Sequence, residues 1–282
     1  MENINAPEKK LNSRVESLLL AFLAFSLVFV LWQGSFNSGL LFPFRLLVTF
    51  VHETGHGLAA LISGGRFLGF VVYENGSGLA TTAGGNPLLV LPMGYLGAAL
   101  FGSALLYAAN RTAQVRIVAG VVGAFFILCA VFYTGAGWVA LAGAVVAIIS
   151  WLAAASNTAR RGMRLLSIVA IIVMVIIVRS NIALLIGLVA GVLLLALAVF
   201  GSRRVILFAL NVLAFMIGFN ALDDLQYLLT HQSVGLDNIP NDALALANYT
   251  HVPEMVWIVL WIGLAILLMG LAIYGGLIRA RA

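Results

Sequence analysis

Phe50-Val51-His52-Glu53-Thr54-Gly55-His56-Gly57-Leu58 sets two imidazoles four residues apart, with a carboxylate directly after the first. On an α-helix, positions i and i+4 share a face, so His52 and His56 can bind one Zn²⁺ together. Glu53 is turned by 100° from that stripe and can contact a metal-bound water instead of filling a ligand position. Each residue type suits this chemistry. Neutral imidazole is a good nitrogen ligand for zinc, the metal lowers the pKa of its water towards neutrality, and a carboxylate within reach can pass that proton to a leaving amine. With four His and six Glu in the chain, the spacing would arise by chance about once in a thousand such sequences, which makes chance a poor account.

A catalytic zinc takes a third protein ligand and keeps a fourth position for water. Asp223 and Asp224 stand near the end of an otherwise apolar stretch, Phe219-Asn220-Ala221-Leu222-Asp223-Asp224-Leu225, where a buried carboxylate costs as much as the histidines do. Asp223 is the favoured ligand and Asp224 the alternative; a water-exposed helix end would also account for the pair. His231, Asp237, Asp242 and His251 lie in or beside a polar stretch, where a solvated residue needs no special explanation.

The elements that must carry these residues are membrane helices. Of 282 residues, 63% are apolar and only 9% charged, with a mean hydropathy of +1.11, whereas a soluble domain is about one quarter charged. Charge-free apolar runs at roughly 17–44, 86–110, 117–155, 165–178, 180–200, 205–222 and 255–278 fill the chain. Most reach the ~20 residues that cross a bilayer. The runs are continuous, which excludes an outer-membrane barrel, whose strands alternate. The expected fold is an all-α polytopic membrane protein of about eight or nine membrane helices, forming one domain over 1–282. Arginines cluster at the edges of the runs, where topology determinants and lipid phosphates sit, so nucleic acid is an unnecessary partner. Cys129 lies within an apolar run as a packing residue, and with no second cysteine there is no intramolecular disulfide.

A polar tail (1–16) precedes a first helix at 17–33, and Pro43 suits the first turn of a second helix, 43–64, that bears the His pair. His52 is then about nine residues past Pro43, roughly 13 Å along the axis. Residues 66–84 change character: Phe67 and Phe70 to Tyr73 form a short strand, Asn75-Gly76-Ser77-Gly78 a turn and Leu79 to Ala83 a return strand, a β-hairpin between membrane helices. That turn chemistry also explains Asn75-Gly76-Ser77 without glycosylation. Gly- and Ala-rich scaffold helices follow, then the Asp-bearing helix at 205–229, a polar loop at 230–251 and a last helix to about 278. Placing the basic N-terminus and all three basic loops in the cytoplasm gives an impossible parity if every segment spans. The short 165–178 segment is the weakest candidate for a full crossing.

His52-Glu53-Thr54-Gly55-His56 in a membrane helix, a Gly-Gly step, a hairpin and a later Leu222-Asp223-Asp224 together resemble the site-2 protease family of intramembrane zinc metalloproteases, most closely its peptidase M50B-like branch. Gly84-Gly85, Gly94-Tyr95-Leu96-Gly97 and Asn241-Asp242-Ala243, with Pro253 and Trp257, are similar to features of that branch. The resemblance implies zinc on His52, His56 and Asp223 and Glu53 as the base. Asp224 departs from the family's motif by standing where a glycine is usual. The implied substrate is a membrane-embedded or membrane-adjacent protein, and the expected location is the bacterial cytoplasmic membrane, with lipid as the other partner. The rival is a non-proteolytic zinc-binding membrane protein, a chaperone or metal transporter; Glu53 separates the two, since zinc binding alone does not need it. Purified protein is expected to carry about one zinc, and His52→Ala or His56→Ala to remove it; full occupancy by metal analysis in the double variant would exclude the site.

Overall fold

The computed structural model describes residues 13–33, 39, 41–154, 160–230 and 240–279. Lys9, Lys10, His231, Asp237 and the link at 34–38 lie outside the described residues. In chain order come α1 (Ser13–Gln33), α2 (Phe42–Ile62), a hairpin of β1 (Arg66–Val72) and β2 (Gly78–Ala83), the short α3 (Pro87–Val90), and α4 (Tyr95–Arg111). Then follow α5 (Val115–Tyr133), α6 (Gly137–Ala153), α7 (Arg160–Ser180), α8 (Ile182–Phe200), α9 (Arg203–Thr230), α10 (Asp242–Thr250) and α11 (Glu254–Ile273), which ends in a π-helical turn at Tyr274–Ile278.

Six of these helices, α1, α5, α7, α8, α9 and α11, are long and apolar enough to cross a membrane by length and composition. The 17-residue α4 and α6 fall just short of that length. The outward faces carry Ile148, Ile149, Trp151, Leu152, Leu165, Ile176, Val199 and Phe200 in the open. An apolar surface of this extent suits lipid and not water. The chain is a multi-pass membrane protein.

α7 corrects the sequence expectation. It runs over 21 residues instead of fourteen or so and qualifies as a candidate span, because the charge-free stretch stops at Arg164 and Arg179 whereas the helix continues through them. Polar side chains at helix ends can reach the interface while the backbone stays helical. The 230–251 stretch is likewise not all loop, since α10 occupies most of its second half.

α9 is the central helix, touching α1, α2, α4, α5, α8 and α11. Packing between membrane helices depends on close approach, because lipid tails are as apolar as leucine. Gly102 of α4 meets Ala214 and Gly218 of α9, and lower on the same pair the buried Asn110 donates to Asn211 Oδ1 at 2.6 Å. On the other side of the bundle Gly123 of α5 and Gly191 of α8 face one another: a Cβ on Gly191 would lie 2.7 Å from the Gly123 carbonyl oxygen and 2.5 Å from Ile127 Cγ1.

The hairpin forms as its residues dictate. Asn75 Oδ1 accepts from the Ser77 backbone N–H at 3.0 Å, Gly76 takes the left-handed φ of 87°, and the strands pair antiparallel from Val72 opposite Gly78 to Arg66 opposite Ala83. At its base Gly65 lies against Gly84 and Gly85, where a Cβ would stand 2.6 Å from the Gly85 nitrogen. Gly191→Val is expected to force α5 and α8 apart at a cost of about 1–3 kcal/mol, read as a lowered Tm of the detergent-solubilised protein.

Candidate metal centre

α2 brings His52, Glu53 and His56 onto one wall of a cavity of about 580 Å³, whose other walls are β2, α3, the start of α4, the end of α9 and the start of α10. The residues between the ligand candidates have their own reasons. Thr54 Oγ1 donates back to the Phe50 carbonyl at 2.7 Å, and Gly55 and Gly57 leave room for neighbours: a Cβ at Gly55 would stand 2.0 Å from the Met93 carbonyl oxygen, and one at Gly57 2.3 Å from the Phe67 ring. The glycines let α4 and the hairpin close on the helix that carries the motif.

His56 is buried, and its Nδ1 lies 2.7 Å from the Val90 carbonyl oxygen. A carbonyl only accepts, so Nδ1 carries the proton and Nε2 presents its lone pair to the cavity, the arrangement that fixes a metal-binding tautomer. The His52 ring packs edge to face on Tyr95, with centroids 4.5 Å apart, and Tyr95 stacks in turn on Trp261. Gly94 closes the floor: a Cβ there would lie 2.3 Å from His52 Nε2 and 2.5 Å from His56 Nε2.

The carboxylate that meets the two imidazoles is Asp242. Its Oδ2 is 3.3 Å from His52 Nε2 and 3.3 Å from His56 Nε2, and the two Nε2 atoms are 3.1 Å apart. Three acceptor-capable atoms converging in this way need a positive species between them, a shared proton or a cation. Zinc bonded at about 2.0–2.1 Å to tetrahedrally disposed N and O donors holds those donors about 3.3 Å apart, which the triangle matches. Burial alone would raise the Asp242 carboxyl; where protons on the imidazoles take the place of a cation, the His56 charge and hydrogen bonds from both histidines hold it well below the usual carboxylate range.

Asp242 reaches the site from the first turn of α10. Asn241 caps that helix, its Oδ1 accepting from the Leu244 N–H at 2.8 Å, and its Nδ2 donates to Glu254 Oε1 of α11 at 2.9 Å. At the other end Trp257 Nε1 donates to Thr250 Oγ1 at 3.2 Å. α10 is thereby tied at both ends to the last long helix.

Asp223 and Asp224 line the same cavity near the end of α9, but among the described residues the group that could hold a metal consists of His52, His56 and Asp242. The sequence favours Asp223 for the third position, whereas the carboxylate that the structure brings against the two imidazoles is that of Asp242. The reason is topological: the start of α10 carries Asp242 against both imidazoles, whereas Asp223 on α9 also borders a small neighbouring cavity with Arg45 and Trp32. His251 ends α10 in the left-handed conformation, exposed and apart from the trio. The signal for Asp242 was present in Asn241-Asp242-Ala243, a helix cap followed by an acidic first turn, but a polar context offered no reason to prefer it.

A bundle of apolar helices around two imidazoles, a facing carboxylate and a neighbouring glutamate defines a multi-pass membrane protein with a candidate single-metal hydrolytic centre. The peptidase M50B-like family model matches residues 19–159 and 134–272, and the chain belongs to that family. Membership supports a peptidase of the site-2 protease type, in keeping with the expectation from the motif. No curated protein and no solved structure matches the chain. Asp242→Ala is expected to weaken zinc binding by more than the ~10–100-fold typical of losing a supporting group, and Asp223→Ala to weaken it less; equilibrium zinc titration of the two purified variants decides between the carboxylates.

Proposed function

We propose that the protein is an intramembrane zinc metalloprotease that hydrolyses peptide bonds of membrane-embedded or membrane-adjacent proteins, with zinc held by His52, His56 and Asp242. The observation that carries this reading is the donor triangle of 3.1, 3.3 and 3.3 Å beside a buried glutamate. Zinc in such a site supplies a Lewis acid that polarises a carbonyl and makes water acidic near neutral pH. The chain's own residues do the rest. Glu53 lies on the same wall of α2 and is covered by β2, where a Cβ on Gly78 would come within 2.4 Å of Glu53 Oε1. That contact holds the carboxylate at the cavity, where it accepts the proton of the attacking water and returns it to the leaving amine.

Substrate binding is assigned to the hairpin. β2 pairs with β1 along one edge, and Gly78, Leu79, Ala80 and Thr82 line the cavity. A peptide must be extended for its scissile bond to be reached, and an extended peptide can add to a strand edge through main-chain hydrogen bonds with little dependence on sequence. Thr49 Oγ1 donates to the Gly76 carbonyl at 2.7 Å and so anchors the hairpin tip to the motif helix, keeping that edge in register with Glu53.

Glu53→Gln keeps size and hydrogen bonding but removes the proton acceptor. Bound zinc is expected to remain while cleavage of a membrane substrate falls by about 10²–10⁴-fold. Near-normal cleavage by Glu53→Gln of a substrate that His52→Ala cannot cleave would refute the mechanism. Retention of all cellular functions by both variants would favour a non-proteolytic role.

A further inference from the structure

Arginines gather at one end of the bundle. Arg14, at the start of α1, donates to the Ile278 carbonyl, and Arg111, at the end of α4, donates to the Arg279 carbonyl at 3.4 Å. Arg116, at the start of α5, donates to the Ala198, Val199 and Gly201 carbonyls at the end of α8, at 2.9, 2.9 and 2.8 Å. Arg203 and Arg204, at the start of α9, both pair with Glu16 of α1. Arg164 belongs to the same end: it lies in the first turns of α7, which runs antiparallel to α6 and is bonded to it near the turn by Ser167 Oγ to the Ala147 carbonyl at 2.9 Å. Among the described residues, Glu16 is the acidic group there. Glu53, Glu74, Asp223, Asp224, Asp242 and Glu254 are at the opposite end, with Arg45, Arg66 and Arg179.

α2 makes its end contacts away from the arginines. Near its start, Leu41 and Arg45 share a small cavity with Trp32 and Asp223, which stand near the far ends of α1 and α9. Near its end, Gly57 lies against Phe67, whose ring stacks at 4.2 Å on Tyr133, the last residue of α5. Gly94, which leads into α4, lies against both histidines. The run of α2, hairpin and α3 therefore enters and leaves the bundle on one side. Asp224 is about 30 Å along α9 from Arg203 at 1.5 Å per residue, the full thickness of a hydrocarbon core of ~30 Å. The 13 Å depth expected for His52 assumes that α2 stands upright, which these contacts do not allow.

We propose that the cavity opens on the non-cytoplasmic side of the membrane, with α2 and the hairpin as a re-entrant unit. The arginine end then lies in the cytoplasm, where loops of membrane proteins carry their excess of Lys and Arg and where anionic headgroups attract them. The parity difficulty disappears, because α1, α4, α5, α6, α7, α8, α9 and α11 alternate between the two ends and α2 is the element that does not cross. Non-helical backbone at this depth is tolerated because it lines a water-filled cavity. Taken with the peptidase reading on which it rests, this means that substrate segments reach the site from the non-cytoplasmic leaflet.

Cysteine accessibility tests the arrangement in the full chain. Cys129 is the sole cysteine and is buried, so the unmodified protein serves as the blank. In spheroplasts of a bacterial expression host, a membrane-impermeant maleimide is expected to label Glu74→Cys in the hairpin turn and Ser180→Cys between α7 and α8. Ala113→Cys, between α4 and α5, is expected to stay unlabelled until the membrane is permeabilised. The reverse pattern places the cavity in the cytoplasm and overturns the proposal, and so does labelling of Glu74→Cys and Ser180→Cys from different sides. The readout is accessibility and not cleavage, so the expected pattern in a protein that cleaves nothing would count against the peptidase reading alone.

Discussion

Bringing two imidazoles and a carboxylate together inside an apolar bundle is the constraint on which the rest of the structure depends. Each of these groups is costly in a membrane interior unless it finds a partner, and each is supplied by an element that neighbouring elements hold in place. α2 offers the His pair by helical periodicity alone. Asp242 is added by a short helix capped by Asn241 and fastened to α11 through Glu254 and Trp257. Many of the local peculiarities of the chain serve this meeting: Gly55, Gly57 and Gly94 are small so that α4 and the hairpin can close on α2, and the Val90 carbonyl fixes the orientation of one imidazole.

The scaffold solves a separate problem with different means. Helices in lipid gain nothing from hiding leucine, so α4, α5, α8 and α9 approach through glycine and alanine, and the buried amide pair of Asn110 with Asn211 supplies polar contact between α4 and α9. This leaves the cavity end free to carry loops, a hairpin and a short helix. Rigid crossing helices on one side and irregular, chemically loaded segments on the other divide the molecule into support and site.

How far the chain could be read before its structure depended on the range over which each signal acts. The His pair with Glu53 and the hairpin with its Asn-Gly turn are local, set by four-residue and two-residue geometry, and both are found where the sequence puts them. Family membership followed from those local features. α7 was underestimated because a charge-free window ends at an arginine whereas a helix does not. That Asp242 is the carboxylate beside the imidazoles was not legible, because Asp223, Asp224 and Asp242 are equivalent as residue types and differ only in where α9 and α10 carry them; no spacing rule links position 242 to position 52.

The imidazoles come from the second helix of the chain and the carboxylate from its last short one, with the scaffold helices α4 to α9 between them in sequence. During synthesis the ribosome therefore delivers His52 and His56 to the membrane long before Asp242 exists. The trio can assemble only after α10 has emerged and α11 has docked beside it. A nascent or truncated chain holds two histidines without their carboxylate, so the donor set is completed at the end of biogenesis, when the helices that enclose it are already in place.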